Sequence, residues 1–276
     1  MWDWEVKTKQ PWFRFGIREL FHYKDLILRF SKRDLLASYQ QTLIGPLWVI
    51  VQPLLTTLTY VLIFSRVARI STDNVPPLLF YLPGVILWNY FSECLNGTMG
   101  TFQYNTHIFS KVFFPRLTVP VSQVLTSSFR MMIQLLVFVA IYGIYMLNYD
   151  LGVNRAVVLL PVSLLLCAGF AFGAGLIISI ATAKYRDLDT VLQFVLRLFM
   201  FAAPVVYPST IIPEEWKWLF WLNPLTPAIE TIRYAFFGSP AFSLLPLLVS
   251  VFSVGILLVI GLVIFKRNEV RVMDTI

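Results

Sequence analysis

Few residues in this 276-residue chain are of the types that make and break bonds, and their spacing excludes more chemistry than it offers. The two histidines, His22 and His107, cannot form a cluster, and Cys94 and Cys167 each fall inside an apolar run. A thiolate metal site or a disulfide framework is therefore not expected, and the cysteines read as two buried thiols. The long apolar stretches hold one acid, Glu93, while Glu214, Glu215 and Glu230 lie in the segment before the last stretch. Glu214 and Glu215 are adjacent and read as a solvated turn. An enzyme acting on a lipid would need paired carboxylates, a metal cluster or an activated nucleophile near a leaflet boundary, and these acids assemble none of them. No Gly-Lys dipeptide occurs, so a phosphate-cradling Walker A loop is absent and any ATP-driven work must come from a partner.

The elements that position these residues are set by lipid. Hydrophobic residues make up 58% of the chain and charged residues 13%, against roughly 45–50% and 25% in soluble domains. The 24 Phe, 12 Tyr and 8 Trp exceed what one water-soluble core of this size could hide. A spanning helix needs about 20 mostly apolar residues. Six stretches qualify, at about 43–65, 78–99, 120–147, 156–183, 190–207 and 244–265, which predicts an all-α integral membrane protein with six transmembrane helices. The flanks are an N-terminal segment, 1–42, and a short tail, 266–276. Charges throughout Met1 to Arg33 leave no uninterrupted apolar region for a signal peptide.

Six spans put both ends of the chain on one side, and the basic residues say which. Eight precede the first span (Lys7, Lys9, Arg14, Arg18, Lys24, Arg29, Lys32, Arg33), and Lys111, Arg116, Lys184, Arg186, Lys266, Arg267 and Arg271 share their face. The opposite face carries Arg66, Arg69, Arg155, Lys217 and Arg233. The positive-inside rule makes both termini cytoplasmic. This distribution accounts for the pI near 9.5 without nucleic acid, and it leaves the N-terminal segment attracted to anionic headgroups.

Several segments have a shape of their own. Between residues 13 and 35, Phe13, Ile17, Leu20, Phe21, Ile27, Leu28 and Leu35 fall on one side of a helix, opposite Arg14, Arg18, Asp25, Arg29, Lys32 and Arg33. That pattern predicts an amphipathic helix at the membrane interface, with Lys24 snorkelling from its apolar side. Between the fifth and sixth spans, five prolines interrupt a stretch rich in Trp and Phe, which predicts short re-entrant helices. Glu93, Arg130 and Arg197 fall within spans, where an unpaired charge costs at least about 2.5–3.5 kcal/mol. Glu93 is expected to pair with Arg130 or Arg197, as a structural contact. On the first span, Trp48, Thr56 and Thr59 lie within about 40° of Gln52 at about 100° per residue. Lipid does not reward such a polar stripe; helix packing or an aqueous path would.

Four runs taken together carry a family resemblance. They are Arg33-Asp34-Leu35-Leu36-Ala37-Ser38-Tyr39-Gln40-Gln41-Thr42-Leu43-Ile44-Gly45-Pro46-Leu47-Trp48 with Gln52-Pro53; Lys111-Val112-Phe113-Phe114-Pro115-Arg116-Leu117; Lys184-Tyr185-Arg186-Asp187-Leu188; and Asn223-Pro224-Leu225-Thr226-Pro227 with Glu230 and Arg233. Over nearly its full length the chain resembles the membrane subunit of polysaccharide-exporting ABC transporters, the ABC-2 permeases, and most of all the O-antigen exporters. The resemblance implies a homodimer paired with two copies of an ATPase that holds ATP and magnesium. It implies export of a lipid-linked glycan, carried on undecaprenyl diphosphate, across the bacterial inner membrane, with no cofactor in this chain and no room in the tail for a fused ATPase. Capsule and teichoic acid exporters share this architecture.

Two sites follow from the resemblance. Residues 104–116 would form a coupling helix seated in the ATPase, with Phe109, Phe113 and Phe114 inserted and Lys111 and Arg116 flanking. A translocation path would be lined by Trp48, Gln52, Thr56, Thr59 and Tyr60 of the first span and Phe199, Phe201 and Tyr207 of the fifth, with Trp88 and Tyr90 near the dimer axis. Two rival classes are an integral-membrane enzyme acting on a lipid-linked glycan, and a secondary transporter or channel. The latter requires ion-coupling acids in the midplane, and no acidic pair lies there.

Overall fold

A computed structural model describes residues 17–273 apart from 110, 113, 149–151 and 186. Lys7, Lys9, Phe13, Arg14, Phe113 and Arg186, named above, lie outside the described residues. The elements are α1 (Ile17–His22), α2 (Lys24–Tyr39), α3 (Trp48–Tyr60), α4 (Pro77–Met99), α5 (Thr101–Phe109), α6 (Thr118–Met146), α7 (Leu160–Lys184), α8 (Leu188–Phe199), α9 (Glu214–Leu222), α10 (Leu225–Phe237) and α11 (Leu244–Met273). No strand occurs among the described residues.

Among the described residues, five helical stretches are long and apolar enough to cross a membrane: Gly45–Val67, Pro77–Met99, Thr118–Met146, Arg155–Lys184 and Leu244–Glu269. They fall within a few residues of five of the six expected spans. The helix α4 is the least apolar of the five and the most deeply buried, at 72% of its spanning window against 22% for α11, the most apolar. The contrast between these two follows from the solvent, since lipid demands an apolar exterior while a protein interior tolerates Asn, Glu and Tyr that find partners. Around α4 pack α3, α6, α7 and α10, and α11 packs along α7.

The α7–α11 contact depends on small residues. A Cβ placed on Gly261 would sit 2.6 Å from the carbonyl oxygen of Gly173, and one on Gly169 would meet Val254 at 2.9 Å. Without these glycines the two backbones could not approach as they do, and close approach is what holds helices together when the surrounding solvent is as apolar as they are.

The fifth expected span, 190–207, is not one helix. The α-helix stops at Phe199, a single 3-10 turn covers Met200–Ala202, and the chain is irregular from Ala203 to Pro208. Pro204 and Pro208 lack the N–H groups that a continuing helix would need. The segment nevertheless follows α4 from end to end: Gln193 bonds Asn96, Phe199 meets Trp88, Val205 lies against Gly84, and Thr210 reaches Asp73 just before α4. Ala203, Val205 and Val206 are buried by the surrounding helices. Irregular backbone at such depth persists only where protein covers it.

Both described ends of the chain lie at one end of this bundle. Ser31 of α2 bonds Thr126 near the start of α6, Leu20 of α1 packs against the cluster holding Phe102 and Phe265, and α11 runs without a break past Phe265 into the expected tail. At the other end, Tyr142 donates to the carbonyl of Phe236 and Asn154 N–H to that of Ala235, which seats α10.

Candidate functional site

The polar stripe on α3 faces away from the rest of the chain. Trp48 is 40% exposed, Gln52 and Thr59 are exposed and Thr56 is half-buried, while Val49, Pro53 and Thr57 form the packing face. The hydroxyls of Thr56 and Thr59 donate to the carbonyls of Gln52 and Leu55 one turn back, so neither holds α3 to another described helix. Packing within the chain is therefore not what this stripe serves.

The aromatic residues named with the stripe separate into two groups. Phe201 is exposed and Tyr60 half-buried, its hydroxyl 3.1 Å from Met200 Sδ, which ties α3 to the end of α8. Tyr207 is also half-buried, donating to the carbonyl of Phe201. Trp88 and Phe199 pack with Phe91, which stacks on Phe170 at 5.1 Å. Tyr90 departs from expectation: it is 5% exposed, with its hydroxyl 2.9 Å from Ser128 Oγ between α4 and α6. A residue so enclosed can brace the wall but cannot line it.

Of the two partners offered for Glu93, the structure places Arg130 against it, with Nη1 3.2 Å from Oε2. The second guanidinium nitrogen donates to Ser38 Oγ at 2.7 Å, and the group lies 5.6 Å from the ring of Tyr39. Farther along, Gln123 donates to Asp34 and Thr126 to Ser31. The small polar face of α2 thus packs on α6, while Leu28 and Leu36 of α2, like Phe21 of α1, stay exposed, as suits helices lying at a membrane surface. Arg197 corrects the expectation of a third buried charge, because it is exposed. The packing line of α8 runs through Gln193, Leu196 and Met200, and Arg197 stands about 100° away from Leu196.

At the cytoplasm-expected end, α5 is the helix of the predicted coupling segment, and most of its aromatic residues turn inward. Phe114 is 6% exposed and packs on Phe30 and Phe109, and Phe109 packs in turn on Phe102, which stacks on Phe265. The expected insertion of Phe109 and Phe114 into a partner is corrected accordingly: these rings hold α1, α2, α5 and α11 together. What stands outward is Tyr104, Lys111 and Val112, with Arg116 half-buried. Burial, with the nearby Asp189 carboxylate, raises the Tyr104 phenol above its usual value, so it stays neutral and can donate to Asp189.

One constellation escaped the sequence reading, which had placed Arg233 on an outer loop. Arg233 is 1% exposed and Glu230 4% exposed, and the two form an ion pair of 3.2 Å one turn apart on α10. The guanidinium lies 3.8 Å over the ring of Phe80. It donates to the carbonyls of Val205 and Tyr207, and Asn223 Nδ2 donates to that of Ala202. These acceptors belong to the 3-10 turn and the irregular stretch that follow α8. Two prolines and a buried break were the available signal, since carbonyls released at depth require donors from elsewhere.

Among the described residues no group of three His, Cys, Asp or Glu side chains could hold a metal ion. Cys94 and Cys167 are free and buried. The family model described as ABC-2 type transporter matches residues 26–237. At 28% identity the chain is similar to an O-antigen export system permease protein of Klebsiella pneumoniae, over 90% of this chain and 93% of that one. A protein of the same description from Myxococcus xanthus is 29% identical over 80% of this chain and 84% of its own. A polysialic acid transport protein of Escherichia coli is 26% identical over 74% and 78%.

Proposed function

Since this chain belongs to the ABC-2 type transporter membrane family, we propose that it is the permease subunit that exports a lipid-linked polysaccharide, with O-antigen as the best match. The carrying observation is that relatives named as O-antigen export permeases align along about nine-tenths of the chain. A relative named for polysialic acid transport makes capsule export the second reading, with the same architecture.

On this reading the five long helices and the broken segment 188–210 make six crossings, and α9 and α10 enter the outer leaflet and return. Both termini face the cytoplasm, where the basic residues concentrate. A homodimer supplies the second wall of the path. ATP is bound by two copies of a separate subunit, consistent with the lack of any Gly-Lys dipeptide here. Its strokes enter through the outward residues of α5 and the loop after it, Tyr104, Lys111 and Arg116. From there they reach α4, which ends two residues before α5 begins and packs against most of the bundle.

The exposed α3 face then meets the glycan. Gln52, Thr56 and Thr59 offer hydrogen-bonding groups, and Trp48, Tyr60 and Phe201 offer flat ring faces on which a sugar can slide without a deep minimum. On this reading the chain moves its substrate and does not transform it, in keeping with relatives named as export permeases. Deleting the chain in its host should abolish surface polysaccharide while its lipid-linked precursor accumulates inside. Co-purification with the tagged chain should yield an ATPase in equal amount. Normal surface polysaccharide in the deletion strain, or turnover of a lipid by the purified chain alone, would overturn this reading.

A further inference from the structure

At the end of the bundle remote from the described chain ends, α9, α10 and the start of α11 line a cavity of about 280 Å³ that is partly open to the outside. Its size is close to the lower end of small-molecule pockets, roughly 300–1,000 Å³, which suits one ring and not a chain. The lining is mixed. Phe220, Trp221 and Phe242 contribute ring surface, and Ser209, Thr226 and Glu230 contribute polar groups. Phe242 is held in place by stacking on Tyr234, with centroids 4.6 Å apart and planes 9° from parallel.

Two of the polar groups are unspent. The hydroxyls of Ser209 and Thr226 are buried and have no hydrogen-bond partner among the described residues, and Thr226 as a whole is only 3% exposed. A buried hydroxyl left in that state costs about 1–3 kcal/mol, so two of them beside one cavity ask for a reason. Glu230 has capacity as well. It accepts from Arg233 at one oxygen and from Ser239 at the other, each at 3.2 Å, whereas a carboxylate offers about four lone-pair sites.

Charge narrows the class of ligand. The one cation in the lining, Lys217, is engaged by Glu214, and Glu230 and Arg233 balance each other, so the lining offers an anion no free positive charge. A phosphate or an acidic group is thus disfavoured, and a neutral polyol with one apolar face is favoured. We propose that this cavity binds a single neutral sugar ring, with its flat face on an aromatic side chain and its hydroxyls bonded to Ser209, Thr226 and Glu230. It rests on the export reading only for what delivers the sugar. A glycan leaving the path would then have a holding point at the outer face, where each repeat can be gripped while the next is drawn through.

The test uses the full chain with its ATPase in lipid nanodiscs and saturation-transfer NMR with the methyl glycosides of glucose, galactose, mannose and N-acetylglucosamine. At least one should bind. Thr226→Val removes only an unpartnered hydroxyl, so it should leave folding intact and weaken that sugar roughly three- to tenfold. Ala241→Trp should fill the cavity and abolish the signal. No binding by any of the four, an unchanged signal in both variants, or competition by inorganic phosphate would overturn the proposal. If sugar binds in the wild type and not in Ala241→Trp, yet no glycan is exported, the export reading fails and the site stands. If export proceeds and no sugar binds, the reverse holds.

Discussion

Arg233 Nη2 donates to the carbonyl oxygen of Val205 at 3.2 Å, so a side chain of α10 satisfies backbone that α8 abandoned 28 residues earlier. The same guanidinium reaches Tyr207 and is balanced by Glu230. The break after α8 and the buried ion pair on α10 are consequently one structure.

Removing the guanidinium should therefore cost more than an ordinary polar contact. Arg233→Met leaves Glu230 charged and buried and orphans two carbonyls, which places the loss at about 3–5 kcal/mol. Arg233→Lys should recover only part of it, because an ammonium cannot present two donors in a fixed fork. Thermal unfolding of the detergent-purified chain measures both. Equal stability for Arg233→Lys and the wild type would mean that charge alone suffices.

The pair of Glu93 and Arg130 makes a different prediction. Each single change to Gln leaves one charge within a span, and the double change leaves none. The double variant should be more stable than the sum of the singles predicts, with a coupling of about 0.5–3 kcal/mol. Ser38→Ala, which removes the other acceptor of the guanidinium, should cost less than either. Strict additivity in the cycle would refute the contact.

Much of this was legible in the sequence because lipid imposes simple rules. Charge-free runs located five helices to within a few residues, and the amphipathic period of the N-terminal segment foresaw an apolar face of which Phe21 and Leu28 are exposed. The rest depends on which side of a helix meets protein. Arg130 and Arg197 read alike as charges inside spans, yet one is paired and the other exposed, since only the packing of α6 and α8 distinguishes them. Phe114 looked like a free aromatic residue in a loop. Nothing local records that Phe30 and Phe109 lie against it. Arg233 counted as an outer-loop charge because hydropathy cannot see that α10 folds back into the bundle.

Glycines offer a sharper contrast within one helix. Gly261→Ala would place a Cβ 2.6 Å from the Gly173 carbonyl, whereas Gly255→Ala meets nothing within 4 Å. The first should separate α11 from α7 and lose about 1–3 kcal/mol, as overpacked cores do. The second should change stability by no more than about 0.5 kcal/mol. Thermal unfolding of the two variants side by side decides it, and similar losses at both positions would show that the contact is not tight.

At the coupling end, outward and inward residues should fail differently. Lys111→Glu with Tyr104→Ala should lower permease-dependent ATPase stimulation by roughly threefold or more while leaving the chain folded, since both stand at the surface. Phe114→Ala removes a ring buried against Phe30 and Phe109 and should cost about 3–5 kcal/mol of stability before any coupling is measured. Full stimulation by the first variant would move the docking surface elsewhere.

The stripe on α3 yields the test closest to transport. Gln52 and Thr59 are exposed on one face, and Thr57, on the other, is fully buried and donates to the carbonyl of Pro53. If the exposed face borders an aqueous path, cysteines at positions 52, 56 and 59 should react with a membrane-impermeant maleimide, and a cysteine at 57 should not. Reaction at 56, which is half-buried, should quicken while the partner ATPase turns over, because the path must widen to pass a sugar. Trp48→Ala should slow export without lowering assembly. A face turned to lipid would give the opposite pattern, with labelling at 52 and 59 only by a lipid-soluble reagent and no change on adding ATP. Unlabelled cysteines at all three positions in the assembled complex, together with unimpaired export by Thr56→Trp, would make the stripe a packing surface between the two copies of the chain.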